Sequence, residues 1–366
     1  MKVFLIAGAR PNFMKIAPVA RAFDSSCQVE YKIIHTGQHY DRNMSDVFFE
    51  ELGIRQPDYH LGAGGGSHSE QTAKILTGFE SVCEKDKPDL VLVVGDVNST
   101  LACSIVAKKM RIPVAHVEAG LRSFDMGMPE EINRLVTDSI SDLFFVTEKQ
   151  GVDNLLKEGK RKEDVHFVGH VMIDNLFYQL AKLEKIDRES LPFNDFKKQS
   201  GRYGVVTLHR PSNVDDGEIL ARIIGTLSDI SEGLPLIFPI HPRTRKNMDR
   251  FGIVPAVNIQ LAEPLSYMAF LNLWKDSAVV LTDSGGLQEE TTALGIPCLT
   301  IRENTERPIT VEQGTNELMG TSPEKIIAAC DLILAGRWKA GQRPKFWDGK
   351  AADRIVEIIS EIHFAN

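Results

Sequence analysis

Short apolar runs alternate with longer amphipathic stretches along almost the whole chain. Such alternation is typical of βα units that build a parallel sheet. The runs are apolar at nearly every position, as expected of strands covered by helices on both faces. They form a first set at residues 2–7, 31–36, 90–94, 114–117, 143–146 and 166–168, and a second at residues 205–208, 236–240, 259–261, 279–281 and 298–301.

The stretch between the two sets indicates a domain boundary. Residues 173–199 combine a helix-like pattern with a charged segment, and we place the boundary just before them, near Gly169. The length of 366 residues fits two domains at about 100–200 residues each. The prediction is an α/β protein with two Rossmann-like doubly wound domains, residues 1–169 and 170–349. A cleft between the domains is the expected ligand site.

Composition and charge exclude several classes of protein. The net charge of −8 argues against a general nucleic-acid binder, which needs clustered lysine and arginine. No apolar run approaches the roughly 20 residues of a membrane span, and the apolar N-terminus is too short for a signal peptide. The five cysteines are widely spaced, without a CxxC pair, which indicates a reduced chain with no cysteine chemistry. We therefore expect a cytoplasmic protein.

A glycine turn before a helix is the first candidate binding feature. Ser284-Gly285-Gly286 follows the apolar run 279–281 and precedes a helical pattern. The free amides and the positive dipole end of such a helix bind phosphate. One turn further on, Glu289 and Glu290 are suited to accept hydrogen bonds from a ribose diol. The alternative is a plain serine N-cap followed by acidic residues that favour the dipole.

Other nucleotide-binding motifs are absent from the sequence. No GxGxxG occurs, since the first run leads into Gly8-Ala9-Arg10-Pro11, and there is no GxxxxGK[ST]. A dinucleotide cofactor and kinase or ATPase chemistry are therefore not supported. Arginine suits diphosphate oxygens, although a surface ion pair is the alternative for any single one. Those at or near strand ends are Arg10, Arg210, Arg243 and Arg307.

Three acids and two histidines are the candidates for acid–base chemistry. Asp96 and Glu118 each follow an apolar run, and Glu130 lies at a helix start. Carboxylates gathered in one cleft drive their pKa values apart, so that one acts as base and another as acid. Capping and favourable helix-dipole placement are the structural alternatives. His209 and His241 each close a strand, where a histidine hydrogen-bonded to backbone is the alternative.

Eight motifs follow one another in order along the chain. They are Gly8-Ala9-Arg10-Pro11-Asn12-Phe13-Met14-Lys15, Gly95-Asp96-Val97-Asn98-Ser99-Thr100, His116-Val117-Glu118-Ala119-Gly120-Leu121-Arg122, Pro129-Glu130-Glu131-Ile132-Asn133-Arg134, Thr207-Leu208-His209-Arg210, His241-Pro242-Arg243, Asp283-Ser284-Gly285-Gly286-Leu287-Gln288-Glu289-Glu290 and Thr305-Glu306-Arg307-Pro308. Together they resemble the non-hydrolysing UDP-N-acetylglucosamine 2-epimerase family. The resemblance implies a GT-B architecture whose C-terminal helix, about residues 350–366, returns to the first domain.

The resemblance also implies an activity and its residues. The reaction is reversible inversion at C2 of UDP-N-acetylglucosamine, without NAD or metal, by a homodimer. The implied catalytic set is Lys15, Asp96, Glu118, Glu130 and His209. The implied substrate-binding set is Arg10, His241, Arg243, Tyr267, Ser284, Gly285, Gly286, Glu290 and Arg307.

Within the substrate-binding set, the resemblance gives each part of the nucleotide its own group. The glycine turn that starts at Ser284 holds the diphosphate, with Arg10 and Arg307 on the phosphates. Glu290 holds the ribose, and Tyr267 lies beside the uracil.

The chemistry of this reaction fits those residue types. The C2 proton of a pyranose has no neighbouring carbonyl, so its removal without oxidation requires the C1–O bond to break, which expels UDP and leaves a glycal. Cations must stabilise the departing diphosphate. A second acid–base group must return the proton to the opposite face. The sequence leaves open which carboxylate serves which face.

The chain departs from the family pattern at a few positions. Ala9 and Asn12 stand where the family often has Thr and Glu, and His170 stands where it often has Asn. Some members bind a second UDP-N-acetylglucosamine as an activator near the loop Gln38-His39, which continues here as Tyr40-Asp41.

Other functions remain open from the sequence. A GT-B glycosyltransferase needs the same donor site but only one base and an acceptor groove. A nucleotide-sugar sensor needs only the cations, and a hydrolysing 2-epimerase releases free N-acetylmannosamine. The sugar is also open, because its substituents touch few residues, and a related UDP-2-acetamido sugar such as a diacetamido-uronic acid is the alternative substrate.

Overall fold

The computed structural model describes residues 1–26, 29–37, 46–187 and 191–362. The chain divides into two compact units. Unit 1 comprises Met1–Tyr178 together with Lys345–Asn366, and unit 2 comprises Gln179–Pro344. Each unit is built on one parallel sheet with flanking helices, so the predicted α/β class with two Rossmann-like doubly wound folds is confirmed.

Unit 1 contains a parallel sheet of seven strands. The strands are β1 (Lys2–Ala7), β2 (Glu30–His35), β3 (Tyr59–His60), β4 (Leu90–Val94), β5 (Val114–Val117), β6 (Leu143–Val146) and β7 (Val165–Phe167). They lie in the order β3-β2-β1-β4-β5-β6-β7.

Unit 2 contains a parallel sheet of six strands. The strands are β8 (Gly204–Thr207), β9 (Leu236–Pro239), β10 (Ile259–Ala262), β11 (Val279–Thr282), β12 (Cys298–Thr300) and β13 (Asn316–Leu318). They lie in the order β10-β9-β8-β11-β12-β13.

Helices follow most of the strands. They are α1 (Arg10–Ser26), α2 (Asp46–Leu52), α3 (His68–Lys85), α4 (Asn98–Lys109), α5 (Pro129–Ile140), α6 (Lys149–Lys157), α7 (Val171–Leu183), α8 (Asn194–Ser200), α9 (Pro211–Val214), α10 (Gly217–Ser231), α11 (Pro242–Phe251), α12 (Tyr267–Trp274), α13 (Gly285–Leu294), α14 (Pro308–Glu312), α15 (Pro323–Leu334) and α16 (Ala351–Glu361). No helix among the described residues is long and apolar enough to cross a lipid bilayer.

The central strand of unit 1 shows why its apolar runs are continuous. Val3 and Leu5 of β1 are buried with residues of α1 and α16, whereas Phe4 and Ile6 are buried on the other face with residues of α3 and α4. Successive side chains of a strand point to opposite faces. Because both faces are covered, every position of β1 from Val3 to Ala7 must be apolar.

The strand order of each sheet contains one reversal that positions a site. In unit 1 the order runs outward in both directions from the neighbours β1 and β4, and in unit 2 from β8 and β11. Ligands of open α/β sheets bind beyond the carboxyl ends of the strands at such a switch point. The loops there begin at Gly8 and Gly95 in unit 1 and at Leu208 and Asp283 in unit 2.

The division between the units differs from the predicted boundary near Gly169 and falls after Tyr178. The start of α7 packs into unit 1, since Val171 is fully buried in the core that contains α1 and α16. The Asp174 carboxylate accepts hydrogen bonds from the amides of Ala351 and Ala352 at 3.2 and 2.7 Å. These contacts tie α7 to α16, the helix predicted near the C-terminus.

The structure adds two strands that the hydrophobic pattern did not predict. β3 has only two residues and β13 has three, and each is the last strand at one edge of its sheet. Ile34 of β2 pairs with Tyr59, and Cys298 of β12 pairs with Asn316. β3 is Tyr-His and β13 is Asn-Glu-Leu, so neither forms an apolar run, and only pairing with a neighbour defines them.

Candidate functional site

The end of β1 is joined to the end of β4 by one buried side chain. Asn12 Oδ1 accepts hydrogen bonds from the amides of Gly8 and Ala9 at 3.3 and 3.0 Å, and its Nδ2 donates to the carbonyl of Val94 at 3.3 Å. An amide can do this because it carries both an acceptor and a donor. Asn12, a departure from the family pattern, thus connects the two strands at the switch point of unit 1.

Lys15 and Glu118 form a buried ion pair beside this point. Glu118 directly follows β5 with a positive φ of 68°, a conformation that is uncommon for a non-glycine residue. A Cβ on Gly95 would lie 3.0 Å from Lys15 Nζ and 3.5 Å from Glu118 Oε2, so glycine there leaves room for the pair. The second oxygen of Glu118, Oε1, is buried and has no hydrogen-bond partner among the described residues.

Asp96 is held by helix α5. Arg134 pairs with the Asp96 carboxylate at 2.6 Å, and Asn133 Nδ2 donates to the Asp96 carbonyl at 2.8 Å. Arg134 also pairs with Glu131 at 2.9 Å. Burial raises the pKa of Glu131, but hydrogen bonds from Ser123 and its neighbours outweigh burial and leave that pKa below its usual value.

Arg134 and Asn133 were not among the predicted site residues, although both stand in the fourth motif. Asn133 and Arg134 stand three and four positions after Glu130, a spacing that puts side chains on the same side of a helix, and this spacing was the signal that could have found them.

A cavity of about 300 Å³ in unit 1 brings two of the predicted acids together. Asp96 and Glu130 both line it, and the other lining residues are Gly66, His68, Gln71, Val97, Asn98, Pro129 and Asn133. Glu118 does not belong to this lining. The predicted phosphate ligand Arg10 is exposed, with its guanidinium carbon 5.0 Å from the centroid of the Phe48 ring. The predicted activator loop, residues 38–41, lies outside the described residues.

The glycine turn of unit 2 has the predicted helix start. Helix α13 begins at Gly285 with Ser284 as its N-cap, and the Ser284 side chain makes no capping hydrogen bond. Instead, the Ser284 amide donates to Thr282 Oγ1 at 2.9 Å. A Cβ on Gly286 would meet no described atom within 4 Å. The helix N-terminus is therefore open to an anion.

Asp283 organises the other side of this switch point. Its buried carboxylate accepts hydrogen bonds from the amides of His209 and Arg210, at 3.0 and 2.9 Å, and pairs with His209 Nδ1 at 2.9 Å. Burial raises the pKa of Asp283, but its bonds with His209 outweigh burial and lower that pKa. The ionised Asp283 thus holds His209 by Nδ1, while the His209 side chain stays 41 % exposed.

His241 and Arg243 have local partners at the start of α11. His241 Nδ1 accepts a hydrogen bond from the Arg243 amide at 3.2 Å, and the His241 ring lies 6.1 Å from that of His209. Burial and the neighbouring His209 and Arg243 lower the pKa of His241. Arg243 forms an exposed ion pair with Asp215, with Nε 2.7 Å from Oδ1.

Two adjacent glutamates of α13 each have a partner. The Tyr267 hydroxyl donates to Glu290 Oε1 at 2.7 Å, and Glu289 forms an ion pair with Arg307. Burial, followed by the Glu290 charge, raises the pKa of Tyr267 well above its ordinary value. Tyr267, predicted beside the base, thus stands next to the predicted ribose ligand Glu290.

Among the described residues, neither the cysteines nor a group of metal-ligating side chains forms a further candidate site. Cys83, Cys103, Cys298 and Cys330 are free and buried, and burial raises their pKa values, to about 11 for Cys298. Cys27 lies outside the described residues. Within the described ranges, no group of three or more His, Cys, Asp or Glu side chains is placed to hold a metal ion.

Comparison with known proteins identifies the family. The family model described as UDP-N-acetylglucosamine 2-epimerase matches residues 21–360. The UDP-N-acetylglucosamine 2-epimerase of Methanocaldococcus jannaschii is 43% identical over 98% of this chain and 99% of its own. The UDP-2,3-diacetamido-2,3-dideoxy-D-glucuronate 2-epimerase of Pseudomonas aeruginosa is 40% identical over 99% of this chain and 100% of its own.

Solved structures agree with this result. The M. jannaschii enzyme in complex with UDP-GlcNAc and UDP matches 98% of this chain and 99% of its own with a TM-score of 0.83 at 43% identity. The Neisseria meningitidis enzyme bound to UDP-GlcNAc has a TM-score of 0.83 at 31% identity, over 98% and 99% of the two chains. The predicted GT-B fold class is confirmed, and the chain belongs to the UDP-N-acetylglucosamine 2-epimerase family.

Proposed function

We propose that the protein inverts UDP-N-acetylglucosamine at C2, reversibly, to give UDP-N-acetylmannosamine. The observation that carries the proposal is the Glu118 carboxylate, which is 4 % exposed and pairs with Lys15 through one oxygen only. Its other oxygen has no hydrogen-bond partner in the described part of the chain. A buried polar atom without a partner is costly and points to a ligand that satisfies it.

The reaction needs two proton transfers at one carbon. A base takes the C2 proton, the C2–H electron pair forms a C1=C2 double bond, and the C1–O pair leaves with UDP. UDP then adds back at C1 of the glycal while an acid protonates the opposite face of C2. Asp96, Glu118 and Glu130 share these roles, because proton transfer by positioned carboxylates is the catalysis that the step requires.

Cations stabilise the charge that develops on the departing diphosphate. Lys15 and His209 belong to this catalytic set, and Asp283 orients the His209 ring through the contact at Nδ1. Arg10 and Arg307 act on the phosphates.

The nucleotide is bound mainly by residues of unit 2. The open N-terminus at Ser284, Gly285 and Gly286 takes the diphosphate, because its free amides and dipole favour an anion. Glu290 takes the ribose hydroxyls, with Tyr267 beside it near the uracil. His241 and Arg243 complete the substrate-binding set.

Incubation of the purified protein with UDP-N-acetylglucosamine in heavy water tests the proposal. We expect deuterium at C2 and formation of UDP-N-acetylmannosamine, both followed by proton NMR. Release of free N-acetylmannosamine and UDP would instead show a hydrolysing enzyme. Turnover only with an added acceptor would show a glycosyltransferase, and binding without exchange would show a sensor.

A related UDP-2-acetamido sugar is the second candidate substrate. The relative at 40% identity is named for a diacetamido-glucuronate substrate, nearly the same identity as the 43% of the N-acetylglucosamine enzyme. Parallel measurement of kcat/KM for UDP-N-acetylglucosamine and for UDP-2,3-diacetamido-glucuronate decides between them.

The assembly and location of the protein are further parts of the proposal. We infer a homodimer that works in the cytoplasm and needs no nucleic acid or membrane partner. The four described cysteines are free, which fits a reducing compartment. Sedimentation equilibrium tests the dimer, and a single species at the monomer mass of 40.7 kDa would contradict it.

A further inference from the structure

His116 is a buried histidine of unit 1 that takes no part in the proton transfers proposed above. His116 lies on β5 between Val93 of β4 and Phe144 of β6, and its side chain is 0 % exposed. Its Nδ1 is 2.7 Å from Asp138 Oδ1, and its Nε2 is 2.8 Å from the carbonyl oxygen of Gly95. Both ring nitrogens therefore make short hydrogen bonds.

Both partners of His116 are acceptors. A backbone carbonyl has no proton to give, and neutral imidazole carries only one N–H. Asp138 Oδ2 pairs with the Arg122 guanidinium at 2.7 Å and accepts a hydrogen bond from the Gly120 amide at 3.0 Å. A carboxylate held by a guanidinium and an amide is an anion, so the two bonds of His116 are satisfied together only when His116 carries a proton on each nitrogen.

The remaining charges around the ring fit an imidazolium. Asp138 Oδ2 pairs with Arg122 at 2.7 Å, and Arg122 also pairs with Glu158 at 2.7 Å. The cations His116 and Arg122 thus alternate with the anions Asp138 and Glu158. A buried charge is tolerated when it is paired and hydrogen-bonded in this way.

The hydrogen bonds of His116 and Asp138 reach the backbone of two loops that carry candidate catalytic residues. Gly95, whose carbonyl accepts from His116, directly precedes Asp96, and Gly120, whose amide donates to Asp138 Oδ2 at 3.0 Å, lies just beyond Glu118. Gly95 and Gly120 have φ of +66° and +79°. Gly120 has no room for a side chain, since a Cβ there would lie 2.3 Å from the carbonyl oxygen of Gly151.

We propose that His116 is a doubly protonated positioning residue, which together with Asp138 fixes the backbone on which Asp96 and Glu118 are carried. The inference rests on the proposed epimerase function. It needs no contact between His116 and the substrate. A shift of about 1 Å in a reacting group costs about 10²-fold in rate, so a rigid tether at these loops has a direct effect on turnover.

Two amide substitutions of His116 each keep only one of its two hydrogen bonds. In His116→Gln the side-chain amide reaches the place of Nε2 and keeps a donor for Gly95, whereas in His116→Asn it reaches only the place of Nδ1, towards Asp138. We expect His116→Asn to lower kcat for C2 exchange by about 10²-fold with little change in KM. His116→Gln should keep kcat within about tenfold of the parent rate. His166→Asn on β7 is the matched control and should keep the parent rate.

Histidine-selective 15N NMR of the parent protein tests the charge state without relying on a variant. We expect a slowly exchanging ring with a proton on both nitrogens at pH 7. Equal losses of kcat in the Asn and Gln variants, parent kcat in both, or a His116 ring nitrogen without a proton would each overturn the proposal. If the variants do not fold, the NMR result decides. A parent protein without C2 exchange contradicts the proposed function and leaves the NMR test standing.

Discussion

Lys15 of α1 and Glu118 after β5 are 103 positions apart in the chain and form an ion pair. Their side chains are 15 % and 4 % exposed. The sequence indicated separate roles for them, Lys15 as a cation for the diphosphate and Glu118 as an acid–base group. Each side chain is the counter-ion of the other, so that a substitution at one position leaves the other charge without its partner.

Loss of Lys15 should therefore destabilise unit 1. Lys15→Met leaves the Glu118 carboxylate buried without its cation, and we expect the free energy of unfolding in urea to fall by about 3–5 kcal/mol. The double variant Lys15→Met/Glu118→Gln should recover much of that loss, because it removes both charges. Lys108→Met is the control, since its ion pair with Asp142 is about one-third exposed and worth about 0–1 kcal/mol. Equal costs for Lys15→Met and Lys108→Met would contradict the prediction.

Amide substitutions of the three acids should stop exchange without weakening UDP binding. For Asp96→Asn, Glu118→Gln and Glu130→Gln we expect C2 exchange in heavy water to fall by about 10²–10⁴-fold, as for loss of a positioned acid or base. The melting temperature should change little for Glu130→Gln, whereas Glu118→Gln and Asp96→Asn also leave Lys15 or Arg134 without its paired carboxylate and should lower it. Asp153→Asn on the exposed face of α6 should behave like the parent. Parent exchange rates in all three variants would show that these acids are structural.

Glu290 should matter for UDP affinity. Glu290→Ala removes the carboxylate proposed to bind the ribose, and hydrogen bonds to a charged group are worth about 1.5–3 kcal/mol. Isothermal titration calorimetry with UDP should show that loss of binding free energy, whereas Glu312→Ala, an exposed position of α14, should bind like the parent. Unchanged affinity in Glu290→Ala would rule out the ribose role.

The contact between α7 and α16 should depend on pH through Asp174. Burial raises the pKa of this carboxyl from 3.8 to about 6, against the opposing bonds from Ala352 and Ala351. The folded state then binds the proton more tightly than the unfolded state, so the contribution to stability is fully present below pH 3.8 and is lost as pH rises through about 6.

The pH dependence due to Asp174 is measured as the difference in unfolding free energy between the parent and a variant. The free energy of unfolding of the parent minus that of Asp174→Asn should fall by about 3 kcal/mol between about pH 4 and pH 7, given about 1.4 kcal/mol for each pKa unit. Titration of other groups cancels in this difference. A difference that does not vary with pH would show that the Asp174 carboxyl titrates normally.

Local sequence was sufficient for the long central strands and for the kinds of chemistry. Continuous apolar runs identified the long central strands because burial on both faces demands an apolar residue at every position. The turn Ser284-Gly285-Gly286 identified the start of α13 for a similarly local reason, since glycines and a capping residue mark a helix N-terminus. Charged residues directly after strands identified Asp96 and Glu118 as candidates.

Contacts between distant residues were decided by the tertiary structure alone. The ion pairs Lys15–Glu118 and Asp96–Arg134, and the hydrogen bonds of His116, join segments that meet only because the strand order places β1, β4 and β5 side by side. The edge strands β3 and β13 likewise exist only through their neighbours. Hydrophobic periodicity is a property of a single segment, whereas the partner of a side chain depends on the packed fold. For that reason the sequence determined which chemical groups are present, and the tertiary structure determined how they act together.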